Sequence, residues 1–369
     1  MKVMVTGANG FVGKNLCLRL RELGGITILP VMRDSSPEDL RRLAAGADFV
    51  FHLAGVNRPQ DPTEFQTGNA QTTLALCDAL LLTKRKIPVV YTSSSQADLD
   101  NPYGQSKLTA EKFLTHYSDS SGAPVYIFRL PNVFGKWCRA NYNSAVATFC
   151  HNIARGLPIQ INNPSAAVRL VYIDDVLDTF LLLLKSQESS GTKEVKPVYS
   201  ATVGELASQI EAFKHSRDTL VSERVGTGFV RALYSTYVSY LPTEAFSYKV
   251  PAHADPRGVF VEMLKTPDAG QFSFFTAHPG ITRGEHYHHT KTEKFLVIKG
   301  KAHFGFRHMY TNEYHEILTS GETPEIVETV PGWTHNITNI GNDEMIVMLW
   351  ANEIFDRQKP DTIAQKVKL

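Results

Sequence analysis

Cysteine is scarce in this chain, which limits the kinds of site it can build. The 369 residues include only four cysteines, none in C-x-x-C spacing, and all four precede residue 151. Such spacing gives no disulfide framework, so we expect buried free thiols in a reducing compartment. A metal site farther along the chain must therefore use nitrogen and oxygen ligands. The four thiols are Cys17, Cys77, Cys138 and Cys150.

An excess of charge and a long apolar run are also missing. Lys and Arg number 38 against 37 Asp and Glu, a net charge of +1, so bulk electrostatics favours neither nucleic acid nor an anionic membrane. No apolar run is long enough to span a bilayer. The first residues enter a strand pattern without a basic and then apolar leader. We therefore expect a cytoplasmic protein with no nucleic-acid partner and no membrane span.

The patterns that are present differ between the two parts of the chain. The length favours two domains. The first part alternates strand and helix patterns, which predicts an α/β domain with a Rossmann-type, doubly wound parallel sheet. After about residue 244, short β-type runs are separated by Gly, Pro and Asn, which predicts an all-β barrel or sandwich. We therefore predict domains at residues 1–243 and 244–369.

A glycine-rich turn opens the first domain. The segment VMVTGANGFVG places Gly7, Gly10 and Gly13 between a strand and a helix. Glycine allows close approach to a pyrophosphate, which then faces the positive end of the helix, so the turn predicts a dinucleotide site. The next strand ends with Arg33, which would accommodate a 2′-phosphate and favours NADP, although the adjacent Asp34 leaves NAD open.

A tyrosine and a lysine lie one helical turn apart in NPYGQSKLTAEKF. Tyr103 and Lys107 share one helix face, and an ammonium near a phenol lowers the phenol pKa. The phenol could then exchange a proton with a carbonyl or alcohol near neutral pH. The preceding strand ends with Ser93, Ser94 and Ser95, any of which could hold the substrate oxygen. These residues predict a site for hydride transfer.

As a set, the segments TGANGFVG, HLAG, SSS, YGQSK, RLPNVFG and RLVYIDD resemble the extended short-chain dehydrogenase/reductase family over about residues 1–240. Members typically act on nucleotide sugars. Only eight residues separate Ser94 from Tyr103, fewer than is usual in relatives, which suggests a more open site. The resemblance implies catalytic roles for Ser94, Tyr103 and Lys107. It implies cofactor contacts from Gly7, Gly10, Phe11, Gly13, Arg33, Leu53, Ala54 and Lys107, and substrate contacts from Asn132 and Arg169.

Histidine is concentrated in the second domain, where nine of the thirteen lie. In GITRGEHYHHTKTEKFLVIKG, His286 and His288 are two residues apart on a β-type segment, so both face one side. Glu293 follows, and VPGWTHNITN supplies His335. Three imidazoles and a carboxylate suit a first-row divalent ion. His289 would face the opposite way and is expected to be exposed.

This spacing resembles the first motif of the cupin family, GxxxxxHxHxxxxExxxxxxG, and PGWTHNITN is similar to its second. The resemblance implies a small β-barrel around a divalent metal, expected to be zinc. HADPRGVFVE at 253–262 is similar to the opening of sugar-nucleotide epimerases built on this barrel, some of which use no metal. Three interpretations stay open: a metal site, a metal-free site with histidine as base, or an inert histidine loop.

The order of the two domains resembles a bifunctional family of capsular-polysaccharide enzymes. The resemblance implies a UDP-linked 4-keto-6-deoxy sugar, UDP-2-acetamido-2,6-dideoxy-4-hexulose. The cupin domain would epimerise C3, and the first domain would reduce C4 with NADPH to the L-talose derivative, on the route to UDP-N-acetyl-L-fucosamine. A homodimer is also implied. The base at C3 is undecided among Lys294, Tyr287 and the histidines.

Two other functions remain open on the sequence. The chain could be a sugar-nucleotide reductase whose cupin barrel only binds ligand or builds a dimer. Alternatively, the first domain could be a 4-epimerase or dehydratase that retains bound NAD.

Overall fold

The computed structural model describes residues 1–185, 188–255, 258–261, 263–264, 266, 270–353 and 358–368. Two compact units are present, one formed by residues 1–144 and 168–201 and the other by residues 145–167 and 202–369. Residues 256, 257 and 262 of the HADPRGVFVE segment lie outside the described residues. Within the described part, no helix combines the length and apolar character needed to cross a membrane.

The first unit is built on a parallel sheet of six strands, in the order β2-β1-β3-β4-β5-β8. A smaller sheet has the order β6-β7-β9. The strands are β1 Lys2–Thr6, β2 Thr27–Val31, β3 Phe49–His52, β4 Val89–Ser94, β5 Val125–Leu130, β6 Asn132–Phe134, β7 Ala167–Tyr172, β8 Gly191–Lys193 and β9 Tyr199–Thr202.

Helices flank this sheet, and its central strands are buried because side chains cover both faces. The predicted Rossmann-type, doubly wound sheet is confirmed. The described helices of the chain as a whole are α1 Phe11–Glu22, α2 Pro37–Gly46, α3 Thr72–Leu81, α4 Pro102–Ser121, α5 Ala145–Ala154, α6 Ile173–Leu182, α7 Val203–Thr219 and α8 Gly228–Val238, of which α5, α7 and α8 belong to the second unit. A π-helical turn spans Gln66–Gln71, and short 3-10 turns span Leu183–Lys185 and Thr243–Ala245.

The second unit contains two antiparallel five-stranded sheets, which confirms the predicted all-β barrel. One sheet has the order β10-β18-β15-β20-β13, and the other has the order β17-β16-β19-β14-β21. A separate hairpin joins β11 and β12. The strands are β10 Ser247–Lys249, β11 Ala252–Asp255, β12 Gly258–Val261, β13 Gln271–Ala277, β14 Thr282–Tyr287, β15 Glu293–Lys299, β16 Lys301–His308, β17 Tyr314–Ser320, β18 Glu325–Glu328, β19 Trp333–Asn339, β20 Met345–Ala351 and β21 Ile363–Ala364.

The histidine-rich stretch 280–300 spans both sheets of the barrel. Gly280 and Gly300 do mark strand turns, with φ values of 79° and 93° that favour glycine. However, β14 lies in one sheet and β15 in the other, and residues 288–292 cross between them. A turn therefore interrupts the β-type pattern of this stretch.

The helices α7 and α8 belong to the second compact unit, although they precede residue 244 in sequence. The boundary between 1–243 and 244–369 stays a prediction about where the two kinds of sequence meet. Cys17, Cys77 and Cys150 are buried and form no disulfide among the described residues, as predicted. Cys138 forms no disulfide there either but is partly exposed, so its predicted burial is wrong.

Candidate active site and metal centre

The glycine turn leaves no room for side chains. Gly7 has a φ of 67°, and a Cβ there would lie 2.9 Å from the Cα of Ala54. A Cβ on Gly13 would lie 2.2 Å from the carbonyl oxygen of Gly7. At Gly10 no side chain caps α1, and no acidic residue lies in the first turn that begins at Phe11. The first N–H groups of α1 can therefore serve an anion such as a pyrophosphate.

A buried hydrogen-bond network holds the segment beside this turn. The Oγ1 of Thr6 accepts the backbone N–H groups of Leu53 and Ala54, each at 3.1 Å, so its own hydroxyl donates to His52 Nδ1 at 2.7 Å. His52 Nε2 then donates to the hydroxyl of Thr73 at 2.8 Å. Burial lowers the pKa of His52 to about 3, so its ring stays neutral and the direction of these bonds is fixed.

The structure brings Ser94, Tyr103 and Lys107 together. Ser94 ends β4, and the other two lie in the first two turns of α4, which Asn101 caps by accepting the N–H of Gly104. The Ser94 side chain lies near the Tyr103 hydroxyl and lowers its pKa. The serine beside the tyrosine is thus the one that the family resemblance implied.

The two neighbouring serines are directed elsewhere. Ser93 is buried and donates to Glu111 Oε1 at 2.5 Å. Ser95 is exposed. The geometry therefore favours Ser94 over both neighbours as the hydroxyl that faces Tyr103.

The lowering of the Tyr103 pKa by Lys107 stays a prediction. Burial raises the pKa of Tyr103, and the nearby Ser94 side chain opposes this only in part. The Lys107 Nζ lies 6.0 Å from the centroid of the tyrosine ring and donates to the Thr92 carbonyl at 2.9 Å. Burial lowers the pKa of Lys107 itself to about 8, although Glu111 opposes the shift. The group poised near neutral pH is therefore the lysine.

The remaining predicted contacts of the first unit are on its surface. Arg33 and Asp34 are both exposed in the turn after β2, so the choice between NADP and NAD stays open. Asn132 on β6 and Arg169 on β7 are exposed and adjacent, since the amide of Asn132 donates to the Arg169 carbonyl at 3.2 Å. The structure thus brings the two predicted substrate contacts together.

All four predicted metal ligands meet inside the barrel. One potential ligand atom from each of His286, His288, Glu293 and His335 lies within 4.8 Å of the other three. Glu293 Oε2 is 3.1 Å from His288 Nε2 and 3.5 Å from His335 Nε2. His286 is half-buried, and the other three are buried. The ligands come from β14, its following turn, β15 and β19.

The donor set fits a divalent metal. Both ring nitrogens of His335 are buried without a hydrogen-bond partner in the described part of the chain, which is costly unless something binds there. Burial lowers the pKa of His335 and brings that of His286 to about 3, so both rings offer neutral lone pairs. Burial favours protonated Glu293, but His288, His335 and Lys291 together outweigh it and hold that pKa well below its usual value. Neutral imidazoles with a carboxylate are typical zinc ligands.

His289 is buried, so the prediction that it is exposed is wrong. Its backbone N–H donates to Asp361 Oδ1 at 2.9 Å, and its ring lies edge-on to that of Tyr287 at 5.6 Å. The prediction extended the alternation of a strand through this position. Strand β14 ends at Tyr287, and the chain then turns inward.

A cavity of about 190 Å³ adjoins the ligand cluster. Phe275, Phe295 and Phe304 form part of its apolar wall, and Arg283 and Asn336 add polar groups. A small apolar chamber with a few convergent polar groups is typical of a ligand site.

Two of the suggested C3 bases do not line this cavity. Lys294 follows Glu293 on β15 and therefore points to the opposite face, where it pairs with Glu328 and donates to the Tyr248 hydroxyl. Tyr287 is buried beside His289. Among the suggested bases, His286 and His335 do line the cavity.

Comparison with known proteins places both units. Residues 3–198 match the NAD dependent epimerase/dehydratase family, and residues 253–363 match the polysaccharide biosynthesis C-terminal domain. The chain is 62% identical to the UDP-2-acetamido-2,6-beta-L-arabino-hexul-4-ose reductase of Pseudomonas aeruginosa, over 100% of this chain and 99% of that one.

Solved structures agree with this assignment. The capsular polysaccharide assembling protein CapF from Staphylococcus aureus is 42% identical and has a TM-score of 0.68, with both chains covered completely. UDP-N-acetylglucosamine 4-epimerase from Bacillus cereus is 25% identical with a TM-score of 0.51, over 58% of this chain and 81% of that one.

Proposed function

The chain belongs to the NAD dependent epimerase/dehydratase family and, over its full length, to the two-domain CapF family, and from this premise we propose that it is a bifunctional UDP-sugar enzyme. Its substrate would be a UDP-2-acetamido-2,6-dideoxy-4-hexulose, which the barrel epimerises at C3 and the first unit reduces at C4. The product is UDP-2-acetamido-2,6-dideoxy-L-talose, on the route to UDP-N-acetyl-L-fucosamine for capsular polysaccharide. The substrate class is inferred from the 62% sequence identity, over the full length of the chain, with a UDP-hexulose reductase.

The reductive half uses the residues that meet at the end of β4. NADPH, held by the glycine turn, would supply hydride to C4. Tyr103 holds the proton that goes to the C4 oxygen, and Ser94, which lies near Tyr103, orients that oxygen. Lys107, with its pKa near 8, keeps a positive charge close to the phenol and favours proton transfer from it. The carbonyl gains one hydride and one proton and becomes an alcohol.

The barrel half uses the cluster around Glu293. A divalent ion bound there would act as a Lewis acid on the C4 oxygen of the keto sugar. His286, His288, Glu293 and His335 would hold that ion, and the adjoining apolar cavity would exclude water from the C3 proton. Inversion at C3 requires removal of this proton and addition of a proton, exchangeable with solvent, on the other face.

The order of the two steps follows from the chemistry of the sugar. A ketone at C4 acidifies the proton on C3, whereas an alcohol at C4 does not. Epimerisation must therefore precede reduction. A single chain that carries both activities handles the keto sugar in that sequence.

The proposal is tested by separating the two activities in the full-length protein. Tyr103→Phe is expected to stop NADPH oxidation while deuterium from solvent still enters C3, measured by NMR of the sugar. His288→Ala is expected to lose bound zinc and C3 exchange. Loss of deuterium incorporation in Tyr103→Phe would contradict the division of labour, and full exchange after complete metal removal would contradict the role of the ion.

The alternative functions give different results in the same assays. A barrel that only binds ligand gives no deuterium at C3 in the wild-type protein. A 4-epimerase or dehydratase releases NAD on denaturation and consumes no external NADPH. A preference for NADH over NADPH that is unchanged by Arg33→Ala would contradict NADPH as the cofactor.

We also infer a cytoplasmic homodimer. A pyridine nucleotide and a nucleotide sugar are both cytoplasmic metabolites, and proteins of both domain families often form dimers. Light scattering of the purified chain would measure its mass in solution, and a monomer would contradict the dimer.

A further inference from the structure

A half-buried carboxylate near the C-terminal end closes the turn that carries the metal ligands. Asp361 faces residues 289–291 of this turn. Its Oδ1 accepts the N–H of His289 at 2.9 Å, and its Oδ2 accepts the N–H groups of Thr290 at 2.7 Å and Lys291 at 2.8 Å. The Thr290 hydroxyl donates to the same oxygen at 3.0 Å. Three successive N–H groups on one carboxylate form an anion nest and fix the shape of the turn.

The turn held by Asp361 carries a ligand at each end. His288 precedes the three bonded N–H groups, and Glu293 follows them. The backbone carbonyl of Asp361 also accepts a hydrogen bond from His288 Nδ1 at 2.5 Å. This bond leaves the Nε2 lone pair of the His288 ring facing the cluster. The Lys291 ammonium pairs with Glu293 Oε1 at 2.7 Å, so the same turn also orients the carboxylate ligand.

The segment that contains Asp361 is anchored to the barrel on both sides of the cluster. Strand β21 pairs with the end of β14, where Ala364 is opposite His286. Arg307 donates to the carbonyls of Lys366 at 2.7 Å and Val367 at 2.8 Å. The Thr334 hydroxyl, beside His335, donates to the Gln365 carbonyl at 2.6 Å. Asp361 is thus held in place by contacts other than those it makes with the turn.

We propose that Asp361 is a positioning residue of the metal centre, which sets the turn between His288 and Glu293 and the orientation of the His288 ring. The proposal rests on metal binding by the four-ligand cluster. Without the carboxylate, three backbone N–H groups lose their acceptor. The turn would then change its shape so that water can accept these hydrogen bonds. Hydrogen-bond partners of metal ligands fix ring orientation, and their loss typically weakens metal affinity roughly 10- to 100-fold.

The test measures metal binding by the full-length Asp361→Asn variant. The amide keeps the shape and the backbone carbonyl, but it offers one acceptor oxygen where the carboxylate offers two. Competition against a chromogenic chelator is expected to show Zn²⁺ affinity roughly 10- to 100-fold below wild type. The visible absorption spectrum of the Co²⁺-loaded variant is expected to change in intensity, because the ligand geometry changes.

A matched control is Glu316→Gln, another carboxylate of the barrel. Glu316 accepts His303 Nε2 at 3.0 Å and the Tyr314 hydroxyl at 3.2 Å, and it touches none of the four ligands. Its Zn²⁺ affinity and Co²⁺ spectrum should equal those of wild type. An equal loss in both variants would overturn the proposal.

A milder variant covers the case in which Asp361→Asn does not fold. Thr290→Val removes one hydrogen bond to Asp361, together with the one that Arg231 donates to the same hydroxyl, and should weaken Zn²⁺ binding roughly two- to tenfold. Wild-type affinity and an unchanged Co²⁺ spectrum in either folded variant would overturn the proposal and make Asp361 a residue of structural stability alone. A wild-type protein that binds no Zn²⁺ would contradict the proposed function itself, so the two failures are distinguishable.

Discussion

At the scale of single residues, two adjacent serines at the end of β4 have different partners and should behave differently. Ser94→Ala removes the hydroxyl beside Tyr103, and we expect kcat for NADPH oxidation to fall roughly 10²-fold, as for loss of a donor to a developing oxyanion. Ser93→Ala instead removes a buried bond to Glu111 and should lower stability by about 1.5 kcal/mol with kcat nearly unchanged. Steady-state kinetics and thermal unfolding measure both; an exchange of the two effects would contradict the assignment of Ser94.

Lys107 gives the reaction a pH limit. Burial lowers its pKa to about 8, so the ammonium that supports proton transfer is present below that pH and is lost above it. We expect kcat/KM for reduction to be level at lower pH and to fall as pH rises through about 8. Because a guanidinium stays charged, Lys107→Arg should remove this step whatever its absolute rate. If kcat/KM of Lys107→Arg still fell near pH 8, the fall would be due to the titration of another group.

At the scale of elements, the sequence predicted the residues that cluster at each site better than the residues that hold those clusters in position. The cluster of His286, His288, Glu293 and His335 was predicted because the first three residues follow a local spacing. Asp361 was not found, because it lies 72 residues beyond His289 and only the pairing of β21 with β14 brings them together. His52 was seen only as part of HLAG, since its two hydrogen bonds come from distant elements. Local patterns thus predict ligands and strands, whereas partners across sheets need the fold.

The turn before α1 gives a prediction for an element. A Cβ on Gly13 would meet the Gly7 carbonyl at 2.2 Å and Ala8 Cα at 2.8 Å, both backbone atoms that cannot move freely. Gly13→Ala should therefore displace the turn, cost about 2 kcal/mol of stability and weaken NADPH binding. Fluorescence titration with NADPH measures the binding.

A second glycine serves as the control for this change. Gly46 ends α2, and a Cβ there meets only the Leu29 side chain at 3.8 Å. Gly46→Ala should keep wild-type affinity for NADPH and change stability by no more than about 0.5 kcal/mol. Unchanged NADPH affinity in Gly13→Ala would show that the turn does not carry the cofactor.

At the scale of the whole molecule, a buried charge cluster ties α7 to the barrel of the second unit. Glu328 on β18 is paired with Arg217 of α7 and with Lys294, and it accepts the Tyr234 hydroxyl of α8 at 3.2 Å. All of these side chains are buried or nearly so. In sequence, Arg217 precedes the predicted boundary at residue 243, yet its partner is a barrel residue. Helix α7 should therefore unfold with the barrel.

Arg217→Met tests this assignment, because it removes one cation from a carboxylate that cannot reach water. Breaking a buried pair by removing one partner costs about 3 kcal/mol, so the thermal transition that releases Zn²⁺ should move to lower temperature. The transition that releases NADPH should stay in place, since the glycine turn lies in the other unit. Arg42→Met, which breaks an exposed pair with Asp39, should shift neither by more than about 0.5 kcal/mol. If Arg217→Met lowered the NADPH transition and left the Zn²⁺ transition unchanged, α7 would belong with the reductase sequence and the boundary at 243 would also be the boundary of folding.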